Sequence, residues 1–321
     1  MKILVTGFAG FIGYHVTREL LKNHHEVVGL DNFSTGRMEN VIDLLDEFGD
    51  QVEVNEGSIN DKKLIMSLMR DCDSVIHLAA TPKISRSIKD PKGTAITNIV
   101  GTINMLECAA KSGIKKFIFA SSSSIYGDSV RSLNENSFQY PNNPYGLQKW
   151  SAEQFCKYYN EKFGLKVGIL RYFNVYGERQ FPDSGAVIPS FIYGIMKNDS
   201  VQINGGLQTR SYIYVGDVAY ATRLAVEDLD NDLMVMNIAG LRAYTVNEIF
   251  NKITLEIGRP SEVFYLPMVK TDRINSMADI DEAKRILGFM PFETIGRGIQ
   301  NTINWIRKEL ITEEKWKQNQ I

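Results

Sequence analysis

Residues 3–13 read Ile3-Leu4-Val5-Thr6-Gly7-Phe8-Ala9-Gly10-Phe11-Ile12-Gly13, an apolar run followed by glycines spaced G-x-x-G-x-x-G. An amphipathic segment, Phe11–Lys22, starts inside that glycine turn. Strand, glycine turn and helix in this order open a strand–helix–strand crossover. Glycine permits the tight turn and a close backbone approach, and the helix then offers free N–H groups and the positive end of its dipole to a pyrophosphate. Three glycines in a turn can also be purely structural, so a second signal is needed. It comes from the next apolar run, Val27–Leu30, which ends in Asp31-Asn32. That spacing sets a carboxylate about 20 residues beyond the glycines, where it accepts from an adenosine ribose diol. Gly7, Gly10, Phe11, Ile12, Gly13 and Asp31 are therefore candidate dinucleotide ligands. A carboxylate repels a 2′-phosphate and Asn32 is neutral, which favours NAD over NADP, with Arg37 the nearby cation that argues the other way.

The same rhythm continues outward. Val52–Val54, Val75–Leu78, Phe117–Ala120 and Val167–Leu170 are short apolar runs, and Asp61–Arg70, Thr94–Lys111 and Tyr145–Phe163 are helix-length segments between them. Right-handed crossovers cover both faces of such a sheet, so its strands read as continuous apolar runs without polar alternation. The expected fold is α/β, a Rossmann-like doubly wound parallel sheet with a smaller mixed α/β region. Residues 1–173 are assigned to dinucleotide binding together with the Tyr145 helix. Residues 174–321, where glycines and prolines cluster at Pro182–Pro189 and Gly205-Gly206, are assigned mainly to substrate, with some segments returning to the first part. Thr245-Val246-Asn247-Glu248 has capping-box spacing, and Gly288 stops a helix over Ile280–Leu287.

At 321 residues, 44% hydrophobic and 23% charged, the chain has the composition of a soluble globular protein. Its 36 basic and 38 acidic side chains give a net charge of −2, which excludes a global field for nucleic acid or anionic membrane. No apolar stretch approaches the roughly 18 residues of a membrane helix, and Ile3–Val5 is too short for a signal sequence. Three isolated cysteines, Cys72, Cys108 and Cys156, without metal-ligand spacing, read as thiols of a reducing cytoplasm, with no metal site expected.

Tyr145-x-x-x-Lys149 places a phenol and an ammonium one turn apart on one helix face. The spacing is weak alone, because Tyr158/Lys162 and Tyr193/Lys197 share it. Tyr145 differs in following Pro144, at a helix start, and in lying downstream of Ser121-Ser122-Ser123-Ser124 at the end of the fifth strand. Ligands of open parallel sheets sit at the carboxyl ends of strands. Bringing a phenol from a pKa of about 10 to near 7 requires roughly 4 kcal/mol. One cation about 4 Å away contributes ~1 kcal/mol in water but about 4 at an effective dielectric near 20, so the pair needs a cleft. Lys149 and an oxidised nicotinamide together can then make Tyr145 a general base, with a serine hydroxyl opposite to bridge the substrate alcohol.

In these motifs the chain resembles the extended short-chain dehydrogenase/reductases, and within them the nucleoside-diphosphate-sugar 4-epimerases of the UDP-galactose 4-epimerase type. The resemblance runs nearly end to end: Thr6–Gly13, Asp31-Asn32, His77-Leu78-Ala79-Ala80, Asn98, Ser122–Gly127, Tyr145–Lys149, Arg171-Tyr172-Phe173-Asn174, Tyr176-Gly177, Val187-Ile188-Pro189, Arg210 and Ala278-Asp279-Ile280. It implies that Ser122, Tyr145 and Lys149 are catalytic. It also implies that Asn32, Ser34, Thr35, Gly36, Ser58, Ile59, Leu78, Ala79, Ala80, Asn98 and Tyr172 join the glycines, Asp31, Tyr145 and Lys149 around NAD. Ser122, Ser123, Ser124, Asn174, Val187, Arg210 and Arg273 would line the site of a UDP-sugar. Two positions depart from the family pattern. Ser58 stands where an adenine-contacting Asp is common, which leaves adenine to backbone contacts. Val269-Lys270-Thr271-Asp272 replaces Arg-Pro-Gly-Asp, so that Arg210 with Lys270 or Arg273 would take over the diphosphate.

The resemblance further implies a reaction. Relatives that dehydrate sugars carry acids at the positions of Ser123 and Ser124, and relatives that decarboxylate UDP-glucuronate carry Glu at Ser124. Serines there favour oxidation and re-reduction at one carbon, hence a 4-epimerase of UDP-glucose, UDP-N-acetylglucosamine or both. The alternatives are a UDP-hexuronic acid 4-epimerase, or a dehydratase or decarboxylase of the same family. A non-catalytic NAD or sugar-nucleotide sensor is opposed by the intact Ser122, Tyr145 and Lys149. The family also implies a homodimer pairing Thr94–Lys111 with Tyr145–Phe163.

Overall fold

Strands that are apolar on both faces need helices on both faces, and the computed structural model has them. It describes residues 1–128, 132–229, 232–268 and 274–318. The first part runs β1 (Lys2–Thr6), α1 (Phe11–Lys22), β2 (Glu26–Asp31), α2 (Met38–Phe48), β3 (Val52–Glu56), α3 (Lys62–Met69), β4 (Ser74–His77), α4 (Ile84–Lys89), α5 (Pro91–Ala95), α6 (Thr102–Ser112), β5 (Lys116–Ser122), α7 (Pro144–Phe163) and β6 (Lys166–Tyr172). The rest comprises β7 (Asn174–Tyr176), α8 (Val187–Lys197), β8 (Val201–Asn204), β9 (Thr209–Tyr214), α9 (Val215–Glu227), β10 (Leu233–Ile238), β11 (Ala243–Thr245), α10 (Val246–Ile257), β12 (Val263–Leu266), α11 (Asp281–Leu287) and α12 (Ile295–Gln318).

Seven parallel strands form one sheet in the order β10-β6-β5-β4-β1-β2-β3. The chain reverses its direction of growth between β1 and β4, and a crevice opens there at the carboxyl ends of the strands. One face is covered by α1, α2 and α9, with Val16, Leu20, Val41, Leu44, Ala221 and Ala225 in its core. The other is covered by α3, α6 and α7, with Ile65, Met105, Leu106 and Ala152. A separate core gathers Phe191, Ile192, Ile203, Ile249, Ile253 and Ile303 from α8, β8, α10 and α12.

β10 pairs in parallel with β6, Leu233 opposite Val167, so a strand from far along the chain completes the sheet. The helices α2, α9 and α12 carry no signal read from the sequence above. The expected helix Thr94–Lys111 is instead α5, a π-helical stretch Ile96–Gly101, and α6. Its cause is visible in Asn98, whose side chain is pulled in to hold Thr81 and Gln148, widening one turn of backbone around it. At Thr245 the capping box forms as expected, Glu248 N–H donating to Thr245 Oγ1 at 3.0 Å and Thr245 N–H to Glu248 Oε2 at 2.7 Å.

Candidate active site

The glycine turn and the segment after β4 touch where the sheet order reverses. Gly7 has φ +75° and a Cβ there would lie 2.8 Å from the Ala79 nitrogen; a Cβ on Gly13 would lie 1.9 Å from the Gly7 oxygen. Both positions therefore require glycine. Gly10 caps α1 without a side chain, leaving the helix terminus to an anion. Asp31 is buried at the tip of β2, where Oδ2 accepts from Ala9 N–H at 3.1 Å and Oδ1 from Phe33 N–H at 2.9 Å. Burial raises its carboxyl above the usual range, opposed by these N–H groups. Gly36 lies against that carboxylate, while Asn32, Ser34 and Thr35 are exposed beside it. These features fit a dinucleotide: an uncapped helix N-terminus for the pyrophosphate, and a carboxylate with lone pairs left for the ribose.

Arg37, the cation that argued for NADP, is occupied elsewhere. Its guanidinium stacks 3.4 Å from the Phe181 ring centroid and lies 3.8 Å from Asp183. Phe181 belongs to a strap, residues 177–184, whose Arg179 binds Asn40 and Asp43 and whose Asp183 carbonyl accepts from Lys83. This strap was not singled out in the sequence, because its contacts join residues about 100 or more apart.

Beneath the crevice, Thr102 Oγ1 donates to the Asn98 carbonyl at 2.9 Å, so its oxygen accepts from His77 Nε2–H at 3.1 Å. Thr6 Oγ1 accepts from Ala79 N–H and donates to His77 Nδ1 at 2.7 Å. This chain fixes the tautomer, and burial together with the Lys149 charge lowers the imidazole to about 3. His77 is a neutral core histidine. Asn98 is buried, with its amide shared between Thr81 and Gln148, so it shapes the segment after β4. Tyr172 is buried too, its hydroxyl 2.7 Å from Thr222 Oγ1, which turns this candidate cofactor phenol to a structural contact with α9. Leu78, Ala79 and Ala80 are partly exposed along the crevice. Ser58 Oγ accepts from Asn60 N–H at 3.1 Å, and Ile59 is buried.

Pro144 sits in the first turn of α7 and Asn143 caps it, accepting from Gly146 N–H at 2.9 Å. The Tyr145 phenol is thereby brought to the end of β5, beside the Ser122 hydroxyl, which favours its ionised form. Ser122 Oγ accepts from Ser124 N–H at 3.1 Å, which leaves its own proton for the phenol oxygen. Burial pushes the phenol up to about 12, and the Ser122 hydroxyl acts against it. Lys149 is buried; its Nζ donates to the Ala120 carbonyl at 2.7 Å and lies 4.7 Å from the Phe119 ring centroid. Burial lowers the ammonium to about 8, with Cys156 and Glu153 acting upward. The spacing Tyr145–Lys149 puts both groups on one face of α7, where the phenol lies by Ser122 and the ammonium holds the Ala120 carbonyl. Of the decoys, Tyr158 is exposed and Lys162 pairs with Glu161, while Lys197 lies over its own Tyr193 ring.

Ser123 and Ser124 are buried beside Ser122. Asn174 pairs in register with Tyr212, so Asn174 and Arg210 share one face of the β11-β9-β7 sheet. Asn174 Nδ2 donates to the Ser211 carbonyl at 3.3 Å and Arg210 Nη1 to the Thr209 carbonyl at 2.7 Å. Val187 opens α8, partly buried. Lys270 and Arg273 lie outside the described residues. Missing from the sequence reading is Glu153, which continues the stripe Tyr145–Lys149 by another turn. An acid on the inward face of a helix was the available signal.

A phenol, an ammonium and a hydroxyl gathered beside a dinucleotide cradle serve one class of chemistry, the oxidation of an alcohol by a nicotinamide dinucleotide and its reversal. The chain belongs to the NAD dependent epimerase/dehydratase family, whose model matches residues 3–239. The UDP-glucose 4-epimerase of Thermotoga maritima, solved with UDP-glucose, is 37% identical over 97% of this chain and 100% of its own, with a TM-score of 0.90. A UDP-N-acetylglucosamine 4-epimerase from Methanobrevibacter ruminantium is 33% identical over 96% of this chain and 98% of its own, also at 0.90. The UDP-glucuronic acid 4-epimerase of Bacillus cereus, solved with UDP-glucuronic acid and NAD, is 32% identical over 96% and 99%, again at 0.90.

Proposed function

We propose that this chain is a UDP-sugar 4-epimerase that interconverts UDP-glucose with UDP-galactose, UDP-N-acetylglucosamine with its 4-epimer, or both. The observation that carries the reading is the Ser122 hydroxyl on the Tyr145 phenol, with the neighbouring positions 123 and 124 filled by hydroxyls and not by acids. The Gly7–Gly13 turn and Asp31 would hold NAD, which would supply reversible hydride transfer at C4. Tyr145 takes the O4 proton, and Ser122 orients O4 between itself and the phenol. Lys149 adds the positive charge that lowers the phenol from the value to which burial raises it, an effect that grows as the site excludes water. Arg210 offers its guanidinium to the diphosphate, with Asn174 and Val187 around the sugar nucleotide. Elimination needs an acid near C5 and C6, and the carboxylates of the network behind the serines, the buried Glu153 and the partly buried Glu135, are committed to Arg171 and to Asn237 N–H.

The likeness to the Bacillus cereus enzyme supports UDP-glucuronic acid as the second substrate to try. One experiment separates these readings. Each UDP-sugar is incubated in deuterated water and the products are analysed by mass and by position of label. The expected outcome is a mixture of C4 epimers with no solvent deuterium on carbon and with a C4 deuterium label retained. Deuterium at C5 or C6, or loss of a water mass, would sink the epimerase reading. Epimerisation of UDP-glucuronic acid alone would move the assignment to the uronic acid.

The same reading assigns residues 1–173 to the cofactor and most of 174–321 to the sugar nucleotide, and a reducing cytoplasm suits the free cysteines. No described helix is long and apolar enough to cross a membrane. A homodimer is supported by the exposed apolar side chains Ile96 and Val100 beside Leu147, Phe155 and Tyr158 on α7. A monomeric mass in sedimentation would refute it.

A further inference from the structure

Ser121 and Tyr126 bracket Ser122, one before it and the other four after it, and both are buried. Ser121 Oγ donates to Glu153 Oε1 at 2.5 Å. Arg171 meets the same carboxylate with two parallel bonds, Nε to Oε1 at 3.0 Å and Nη2 to Oε2 at 2.8 Å. Its Nη1 donates to the Tyr126 hydroxyl at 2.8 Å and to the Glu135 carbonyl at 3.0 Å. Tyr126 in turn donates to Asn237 Oδ1 on β10 at 2.6 Å. Asn237 Nδ2 holds the carbonyls of Leu133 and Asp279. Glu153 is 0% and Arg171 1% exposed.

A buried ion pair is a poor device for stability, since well-packed apolar side chains of similar volume commonly hold a core as well or better. What it supplies is direction: fixed donors meeting fixed acceptors. Here two of those directions, Ser121 Oγ to Glu153 and Arg171 Nη1 to Tyr126, meet the two ends of the turn that carries Ser122. Glu153 sits one turn beyond Lys149 and two beyond Tyr145 on α7, so the pair ties that helix to both ends of the serine turn.

We infer that Glu153 and Arg171 are positioning residues of the reaction, holding the Ser121–Tyr126 turn against α7 so that the Ser122 hydroxyl stays on the Tyr145 phenol. The inference rests on reading Ser122, Tyr145 and Lys149 as the reacting groups. Misplacement of a reacting group by about 1 Å costs on the order of a hundredfold in rate, and the pair defends against displacement of that size. Glu153 also adds a negative charge near the Lys149 ammonium, which keeps the lysine protonated to higher pH.

The test uses the full-length, NAD-loaded chain and the double variant Glu153→Leu/Arg171→Met, which removes both charges together and so leaves neither buried without its counter-charge. The expected result is a melting temperature near that of the parent, and unchanged NAD content and UDP affinity. The turnover number falls about a hundredfold, KM changes little, and the alkaline limb of the pH profile moves to lower pH. Parental turnover in a stable double variant would overturn the inference. So would equal losses of turnover, NAD content and UDP affinity, which would mark the pair as merely structural. Should the double variant not fold, Ser121→Ala removes one tether alone. A several-fold drop in turnover at the parental melting temperature then supports the inference, and no drop overturns it. A parent that turns over no UDP-sugar would defeat the reading of the site; an active parent with an equally active variant defeats this inference alone.

Discussion

Tyr145 is one of three tyrosines in the chain that precede a lysine by four residues, and its neighbours set it apart. Removing its oxygen deletes the proton acceptor and little else. Tyr145→Phe is therefore expected to fold, to retain NAD, and to lose turnover by 10²–10⁴-fold, the range typical of a general acid–base group. Lys162→Ala and Lys197→Ala should stay within twofold of the parent, which progress curves with UDP-galactose would check. The pH dependence has a definite sign. Burial lowers Lys149 from the usual ammonium range to about 8, so its charge is present below that pH and lost above it. An active site that needs this ammonium declines as pH rises through about 8; a rate still climbing well above that value would contradict the role. The spacing of Tyr145 and Lys149 was legible because one helical turn fixes it. The height of the phenol, about 12, was not legible, because it follows from burial by other parts of the chain.

Elements whose causes are local were read almost to the residue. α1 spans Phe11–Lys22 as its apolar spacing and glycine turn require, and α10 starts at the Thr245 capping box. Elements whose causes are distant were misread. The π-helical stretch at Asn98 depends on Thr81 and Gln148, and the strap depends on Arg37, Asn40 and Lys83, none of them sequence neighbours. The strap bears on cofactor choice. With Phe181 and Asp183 engaging Arg37, the guanidinium has partners other than a 2′-phosphate, which suits the proposed contact of Asp31 with the ribose diol of NAD. Cofactor released from the purified chain and identified by mass should be NAD, and NADP there would reverse the assignment. Phe181→Ala frees Arg37 of its ring and is expected to raise the affinity for NADP relative to NAD a few-fold, which competitive titration would measure. An unchanged ratio would show that Asp31 alone decides.

On the scale of the whole molecule the parallel sheet was legible from its apolar runs, while its seventh strand was not, since Leu233–Ile238 lies about 60 residues beyond β6. The chain leaves the sheet after β6, returns in α9 and β10, leaves again, and sends Ala283, Leu287 and Phe289 back to the core beneath α1 before α12 closes the other core. A fragment ending at 173 would expose the apolar flank of α1 and an unpaired edge on β6. It is expected to aggregate or to melt without a cooperative transition, whereas the full chain melts cooperatively. A sharp thermal transition in fragment 1–173 followed by circular dichroism would refute this. Interlacing of this kind also reaches into heredity. Breakpoints within the stretch that encodes residues 174–290 divide pieces of both halves, so recombination between related genes has no clean place to exchange one half for the other. Changes in such a lineage are then reached by single substitutions, accumulated while both halves are inherited together.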